Sequence, residues 1–200
     1  MTVSKIDKVF GQIMYDTNNA DMINQFNAKL DVVLDYHKDV KFVDVTSLIK
    51  DTDLFGFVIG WMASLPCVQN CDKIIGLESR GFIFASALAY AVKKPLILIR
   101  KKGKLPKDTT KIISSNEYKD EEILEVQNDD ICVGDKVVLV DDVIATGGTA
   151  EASIKLLGKM GCEDINMAAV FELTGIKKSP DLREESAAFS VNYFSFCKLQ

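Results

Sequence analysis

One stretch constrains this chain more than any other: Val137-Val138-Leu139-Val140-Asp141-Asp142-Val143-Ile144-Ala145-Thr146-Gly147-Gly148-Thr149. Its apolar run reads as a strand. A carboxylate pair and a Gly/Thr-rich turn follow, and a helical pattern then runs from about Thr149 to Met160. Further short apolar runs lie at Lys73 to Leu77, Leu96 to Ile99 and Ile165 to Phe171, and a helical pattern from Phe82 to Val92 separates the first two. Short strands joined by helices pair in parallel. The expected fold class is therefore α/β, a central and mainly parallel sheet flanked by helices.

The segment 101–134 breaks this rhythm, being polar and then partly alternating through Ile123, Leu124 and Val126, and it reads as a hairpin flap leaving the sheet. Before the sheet, Ile23, Phe26 and Leu30 share one helical face, and Asp53 is expected to cap a helix carrying Leu54, Phe57, Val58, Trp61 and Met62. Residues Ser179 to Gln200 read as a polar loop followed by an edge strand from Phe189 to Phe196. With 200 residues, 48% of them hydrophobic, the chain can bury a core of ordinary size, and one domain spanning 1–200 is expected.

The net charge of −5 argues against a general nucleic-acid or membrane-surface binder, although Arg100, Lys101, Lys102, Lys104 and Lys107 form a local basic cluster. Five scattered cysteines without a CxxC pair, and one histidine, do not make a structural zinc site. No apolar run approaches the ~20 residues of a membrane span, and Met1 to Phe10 lacks the apolar core of a signal peptide, so a reduced, cytoplasmic location is expected.

The chemistry of the 137–149 stretch can be read residue by residue. In a parallel sheet, ligands sit beyond the carboxyl ends of the strands, where Asp141 and Asp142 are expected to emerge and accept hydrogen bonds from sugar hydroxyls. Gly147 and Gly148 allow close backbone approach, the helix start offers free N–H groups, and Thr146 and Thr149 add hydroxyl donors. The turn from Ala145 to Thr149 thus suits a monophosphate. Without a P-loop lysine or GxGxxG spacing, a ribose 5′-phosphate fits it better than a nucleoside triphosphate or a dinucleotide.

Val138 to Thr149 resembles the phosphoribosyl pyrophosphate motif of the type I phosphoribosyltransferases. Three further segments resemble the adenine phosphoribosyltransferases in particular: Gly76-Leu77-Glu78-Ser79-Arg80-Gly81-Phe82, Arg100-Lys101-Lys102-Gly103-Lys104-Leu105-Pro106 and Phe171-Glu172-Leu173-Thr174. Val40 to Thr46 is similar to the family's base-binding hood, with Val43 where many members carry an arginine. The resemblance implies a type I fold with a flexible β-hairpin flap and a small N-terminal hood within 1–45. It also implies a homodimer.

For the site, the resemblance implies pyrophosphate contacts from Arg80 and the backbone at Ser79, beside a Glu78-Ser79 peptide that is usually cis, with added charge from Arg100, Lys101 and Lys104. It places Glu117 and Tyr118 in the flap, Glu117 near the reacting base, and gives the base pocket to Lys41, Phe42, Val43 and Leu173. The expected reaction converts adenine and phosphoribosyl pyrophosphate to AMP and pyrophosphate, with Mg²⁺ bound mainly through substrate oxygens and water. Two alternatives stay open: a 6-oxo-purine acceptor, and a sensor that binds the donor without turnover.

Overall fold

A computed structural model describes residues 24, 26, 28, 31–37, 40–116, 119–174 and 191–199. The chain divides into two compact units, Met1–Leu65 and Pro66–Gln200.

In the first unit, strands β1 (Asp31–His37) and β2 (Val40–Asp44) pair antiparallel, with Val32 opposite Val43 and Val33 opposite Phe42. A one-turn helix α1 (Thr46–Ile49) follows, its start held by Thr46 N–H donating to Asp44 Oδ1 at 2.8 Å. Helix α2 (Thr52–Ser64) is capped by Asp51, whose Oδ1 accepts from the N–H groups of Asp53 and Leu54, both at 3.1 Å. The sequence reading gave that role to Asp53. A cap needs an extended backbone one step before the helix, which Asp51 has, while Asp53 lies in the first turn and its charge favours the helix start. Leu54, Phe57, Val58 and Met62 form the buried stripe of α2, which ends where Leu65 turns extended ahead of Pro66. Of the expected N-terminal helix, residues 24, 26 and 28 are helical and Phe26 is buried; Ile23 and Leu30 lie outside the described residues.

The second unit starts with the short α3 (Pro66–Asn70) and is built on a seven-stranded sheet in the order β5-β6-β4-β3-β7-β8-β9. Strands β3 (Lys73–Leu77), β4 (Leu96–Lys101), β7 (Lys136–Ile144), β8 (Asp164–Leu173) and β9 (Tyr193–Leu199) run parallel, with helix α4 (Gly81–Val92) joining β3 to β4 and helix α5 (Gly148–Lys159) joining β7 to β8. The apolar runs are fully buried strands: Val137 to Val140 and Ala168 to Phe171 have no exposed surface. Burying each Val, Leu or Phe of these runs stabilises the fold by about 1.5–3 kcal/mol.

The hairpin β5 (Thr109–Asn116) and β6 (Lys119–Gln127) is antiparallel, and β6 joins the sheet beside β4 with Arg100 opposite Glu125. Three boundaries moved. Strand β7 continues to Ile144 because its pairing with β8 persists to Ile144 opposite Glu172, so Asp141 and Asp142 lie within the strand's last turns of pleat and not beyond it. Strand β4 extends to Lys101 because β6 pairs with its end. The edge strand begins at Tyr193, opposite Met167, and runs as far as β8 does.

The order of strands fixes where a ligand can sit. From β3 the chain winds outward to β4, and from β7 it winds the other way to β8, so the topological switch point lies between β3 and β7. The carboxyl ends of those two strands carry Glu78 to Gly81 and Asp141 to Gly148.

Candidate functional site

The two strand-to-helix turns at the switch point are in direct contact. Gly81, the first residue of α4, sits so close to β7 that an ideal Cβ there would lie 2.6 Å from the Val140 carbonyl oxygen and 2.9 Å from Asp141 Oδ1. Only glycine lets the helix start this near the carboxylates. Just before it, Arg80 Nε lies 2.8 Å from Asp142 Oδ2 in an ion pair. The pair is charge contact without an aligned hydrogen bond, since that buried oxygen has no hydrogen-bond partner. The Glu78–Ser79 peptide is cis, as the resemblance implies.

The carboxylate pair is electrostatically loaded. Asp142 is 4% exposed, and its backbone N–H donates to Asp141 Oδ1 at 2.9 Å. Burial, and then the neighbouring Asp142 carboxylate, push the Asp141 carboxyl well above the usual carboxylate range, against a smaller opposing pull from Arg80. The ionised pair is thus costly on its own and ready for a positive partner.

Downstream, Gly147 caps α5 with a left-handed backbone at φ 87°, a conformation that favours glycine. The first intrahelical bond is Glu151 N–H to Gly147 O at 2.9 Å, so the N–H groups of Gly148, Thr149 and Ala150 precede the helical ladder. Together with the Thr146 and Thr149 hydroxyls, they can hold an anion at the positive end of the helix. The flap reaches this turn: Ser114 of β5, itself buried, donates its hydroxyl to Gly148 O at 3.4 Å.

The basic segment at the end of β4 is organised by two carboxylates. Glu78 accepts the Lys101 N–H at 2.8 Å and pairs with Arg100 Nε at 3.3 Å. Lys101 Nζ meets Glu122 of β6 at 2.6 Å, which raises the lysine's pKa. Arg100 also lies over the Phe82 ring, 5.8 Å from its centroid, and donates to the Lys104 carbonyl at 3.1 Å. Glu125, 2% exposed, accepts from the N–H groups of Gly103, Lys104 and Leu105.

A phosphoribosyl transferase domain matches residues 67–196. The chain belongs to the phosphoribosyl transferase family. Among its relatives, the adenine phosphoribosyltransferase of Caldicellulosiruptor saccharolyticus is 41% identical over 152 residues, covering 76% of this chain and 86% of that protein. The crystal structure of adenine phosphoribosyltransferase from Rhodothermus marinus superposes with a TM-score of 0.77 at 32% identity, covering 90% of this chain and all 100% of that one. The Giardia lamblia enzyme, solved with 9-deazaadenine, superposes at 0.80 with 27% identity over 89% of this chain and 98% of its own.

Within this phosphoribosyl transferase, the residues singled out in the sequence distribute as follows. Ser79, Arg80, Arg100, Lys101, Lys104, Asp141, Asp142 and the turn Ala145 to Thr149 all lie at the carboxyl ends of β3, β4 and β7 in the second unit. Leu173 ends β8 and is buried. Lys41, Phe42 and Val43 belong to β2 of the first unit, and their side chains lie outside the described residues. Glu117 and Tyr118 also lie outside the described residues. The sequence reading quoted Glu78 and Gly81 within a motif without giving either side chain or position a role, and it missed Glu125. For Glu125 a signal existed: a lone carboxylate interrupting the apolar run Ile123-Leu124-Glu125-Val126.

Proposed function

We propose that the protein transfers the phosphoribosyl group of phosphoribosyl pyrophosphate to adenine, giving AMP and pyrophosphate, as a purine salvage enzyme. The observation that carries the reading is the switch point itself, where a carboxylate pair, a guanidinium and an open helix start converge within two adjacent turns. Each matches one part of the donor. The amides at Gly148 to Ala150 suit the 5′-phosphate, Asp141 and Asp142 suit the ribose hydroxyls, and Arg80 with Lys104, Arg100 and Lys101 suits the pyrophosphate. Membership of the family, with adenine enzymes among its relatives, supports adenine as the acceptor.

Cleavage at the anomeric carbon develops oxocarbenium character on the ring and negative charge on the departing pyrophosphate. Burial and the neighbouring Asp142 make Asp141 resist ionisation, and the cationic ring is the partner that favours its charged form. Arg80, paired with Asp142, is held at the place the leaving group is expected to occupy. Glu117 is assigned the proton at N7 of the base, Tyr118 the closing of the flap, and Phe42, with the Lys41 and Val43 backbone and Leu173, the purine. Flap closure keeps water from hydrolysing the donor.

Asp142 Oδ2 is buried and faces Arg80 Nε at 2.8 Å without an aligned hydrogen bond, so it can still accept one. A Mg²⁺ would be bound mainly through substrate oxygens and water, and Asp141 and Asp142, beside it, would favour it by accepting from that water. When bound, the ion neutralises charge on the leaving pyrophosphate. Among the described residues no helix is long and apolar enough to cross a membrane. A cytoplasmic homodimer, organised as one domain with hood 1–45 and flap 101–134, completes the reading.

The test is a panel of adenine, guanine, hypoxanthine and xanthine with phosphoribosyl pyrophosphate and Mg²⁺. AMP from adenine alone is expected; nucleotide only from an oxo-purine overturns the acceptor, and donor binding without any product overturns turnover.

A further inference from the structure

Glu125 is a charged residue where β6 otherwise buries apolar ones, between Leu124 and Val126. Burying a carboxylate costs several kcal/mol unless its lone pairs are filled, and an apolar residue of similar size avoids that cost. Here they are filled. Oε1 accepts from Gly103 N–H at 2.8 Å, Lys104 N–H at 3.2 Å and Leu105 N–H at 3.3 Å; Oε2 accepts from the Thr109 hydroxyl at 3.2 Å and faces Lys111 Nζ at 3.7 Å. Every one of these partners lies between Gly103 and Lys111, and none is in the core. Burial alone raises the Glu125 pKa; the amides of Gly103 and Leu105, the Thr109 hydroxyl and the Lys104 amide outweigh it and hold the carboxylate below its usual range.

The loop that wraps this carboxylate is also held at its two ends by backbone hydrogen bonds, Lys102 N–H to Ile123 O at 2.9 Å and Asn128 N–H to Asp108 O at 3.0 Å. Between those ends no residue from 101 to 108 is fully buried, and Leu105 alone is half-buried, so Glu125 is the buried group on which the middle of the loop closes. Gly103 takes a left-handed φ of 82° although a Cβ there would meet nothing within 4 Å, so glycine serves the turn and not the space. That turn brings three successive N–H groups onto one oxygen. Arg100 fixes the loop from the other side through the Lys104 carbonyl, and Glu78 in turn fixes Arg100. Lys104 thus has its N–H shared between Glu125 Oε1 at 3.2 Å and the Lys101 carbonyl at 3.3 Å, and its own carbonyl on Arg100.

We propose that Glu125 is the positioning residue of the pyrophosphate subsite: by gathering the amides of Gly103, Lys104 and Leu105 it presents Lys104 to the leaving pyrophosphate. The proposal rests on Lys104 meeting that group. Glu125 itself is buried and never touches substrate; it acts through the loop.

The experiment is a double-mutant cycle in the full chain with Glu125→Gln, Lys104→Ala and both together. The readouts are the Kd for inorganic pyrophosphate with Mg²⁺, the KM for each substrate, kcat, and hydrogen exchange at Gly103 and Leu105. Glu125→Gln keeps the shape and removes the charge, and is expected to weaken pyrophosphate by about tenfold, the size of one charge-assisted hydrogen bond. The adenine KM is expected to hold, and the two amides to exchange faster. In the Lys104→Ala background, the same change is expected to add less than about twofold, because groups acting as one unit are not additive. If Glu125→Gln does not fold, Thr109→Val removes one donor and leaves the charge, and is expected to weaken pyrophosphate by roughly twofold or more with the same non-additivity. Full additivity, or an unchanged pyrophosphate Kd with faster amide exchange, overturns the positioning role. An unchanged Kd in Lys104→Ala alone removes the reading on which the inference rests, whereas loss in Lys104→Ala but not in Glu125→Gln removes only the inference.

Discussion

Gly81→Ala is the smallest change that sets local propensity against the geometry of the site. Alanine is the better helix former by about 1 kcal/mol in a helix interior, and by propensity alone the variant gains stability. The structure opposes this, because the new Cβ falls 2.6 Å from the Val140 carbonyl oxygen, 2.9 Å from Asp141 Oδ1 and 3.1 Å from Asp141 Cα. Two of those three atoms are backbone, in a strand paired on both sides through Gly76 and Ala168. The strand cannot yield without breaking register, so the start of α4 must retreat by about 0.8 Å (3.4 − 2.6) to reach ordinary contact. Overpacking of this kind costs about 1–3 kcal/mol and outweighs the propensity gain, which at the first helical position is below its interior value. A net loss of about 1–2 kcal/mol corresponds to a Tm lower by roughly 2–8 °C for a chain of this size. Arg80 moves with the helix start, and a displacement near 1 Å at a reacting centre costs up to ~100-fold in rate. Urea unfolding and kcat/KM for phosphoribosyl pyrophosphate measure the two effects. A variant as stable and as active as the parent refutes the claim that glycine is there to let the two turns meet.

Other perturbations follow from the same geometry. Asp141→Asn is expected to stabilise the unliganded protein at pH 8 while weakening donor binding: the raised Asp141 pKa gives stability that is present below the ordinary carboxylate value of about 3.9 and is lost as pH rises through the raised one, a loss asparagine does not suffer. Urea midpoints at pH 8 and pH 5 report it, and a gap between variant and parent that widens toward acid contradicts it. Glu117→Ala is expected to lower kcat by ~10²-fold or more with little change in donor KM; an unchanged kcat removes Glu117 from the proton transfer.

Much of this architecture was legible in the sequence because its information is local. The run Val137 to Val140 reads as a strand, and the carboxylates and glycines that follow lie in the same strand–turn–helix unit, so one stretch locates the site. What escaped is set by partners distant in the chain. Strand β7 runs past Asp142 because β8 pairs with it, and the pattern of β7 alone does not say where pairing stops. Glu78 and Glu125 look like solvated carboxylates until the chain folds and the amides of Lys101 and of Gly103 to Leu105, some twenty residues away, close on them. The choice of Asp51 over Asp53 as cap turned on a backbone angle that two similar side chains do not reveal. Gly81 reads as an ordinary helix start until its distance to Val140 is known.

The central claim, that the β3–β7 switch point is the donor site, is tested most directly by titrating phosphoribosyl pyrophosphate into the parent protein and Asp142→Ala in the presence of Mg²⁺. Removing a buried carboxylate that hydrogen-bonds a ligand costs about 1.5–3 kcal/mol, so the account predicts one site per chain and an affinity weaker by about 10- to 100-fold in the variant, with the fold intact by circular dichroism. Equal affinity in a folded Asp142→Ala protein places the donor elsewhere and contradicts the account.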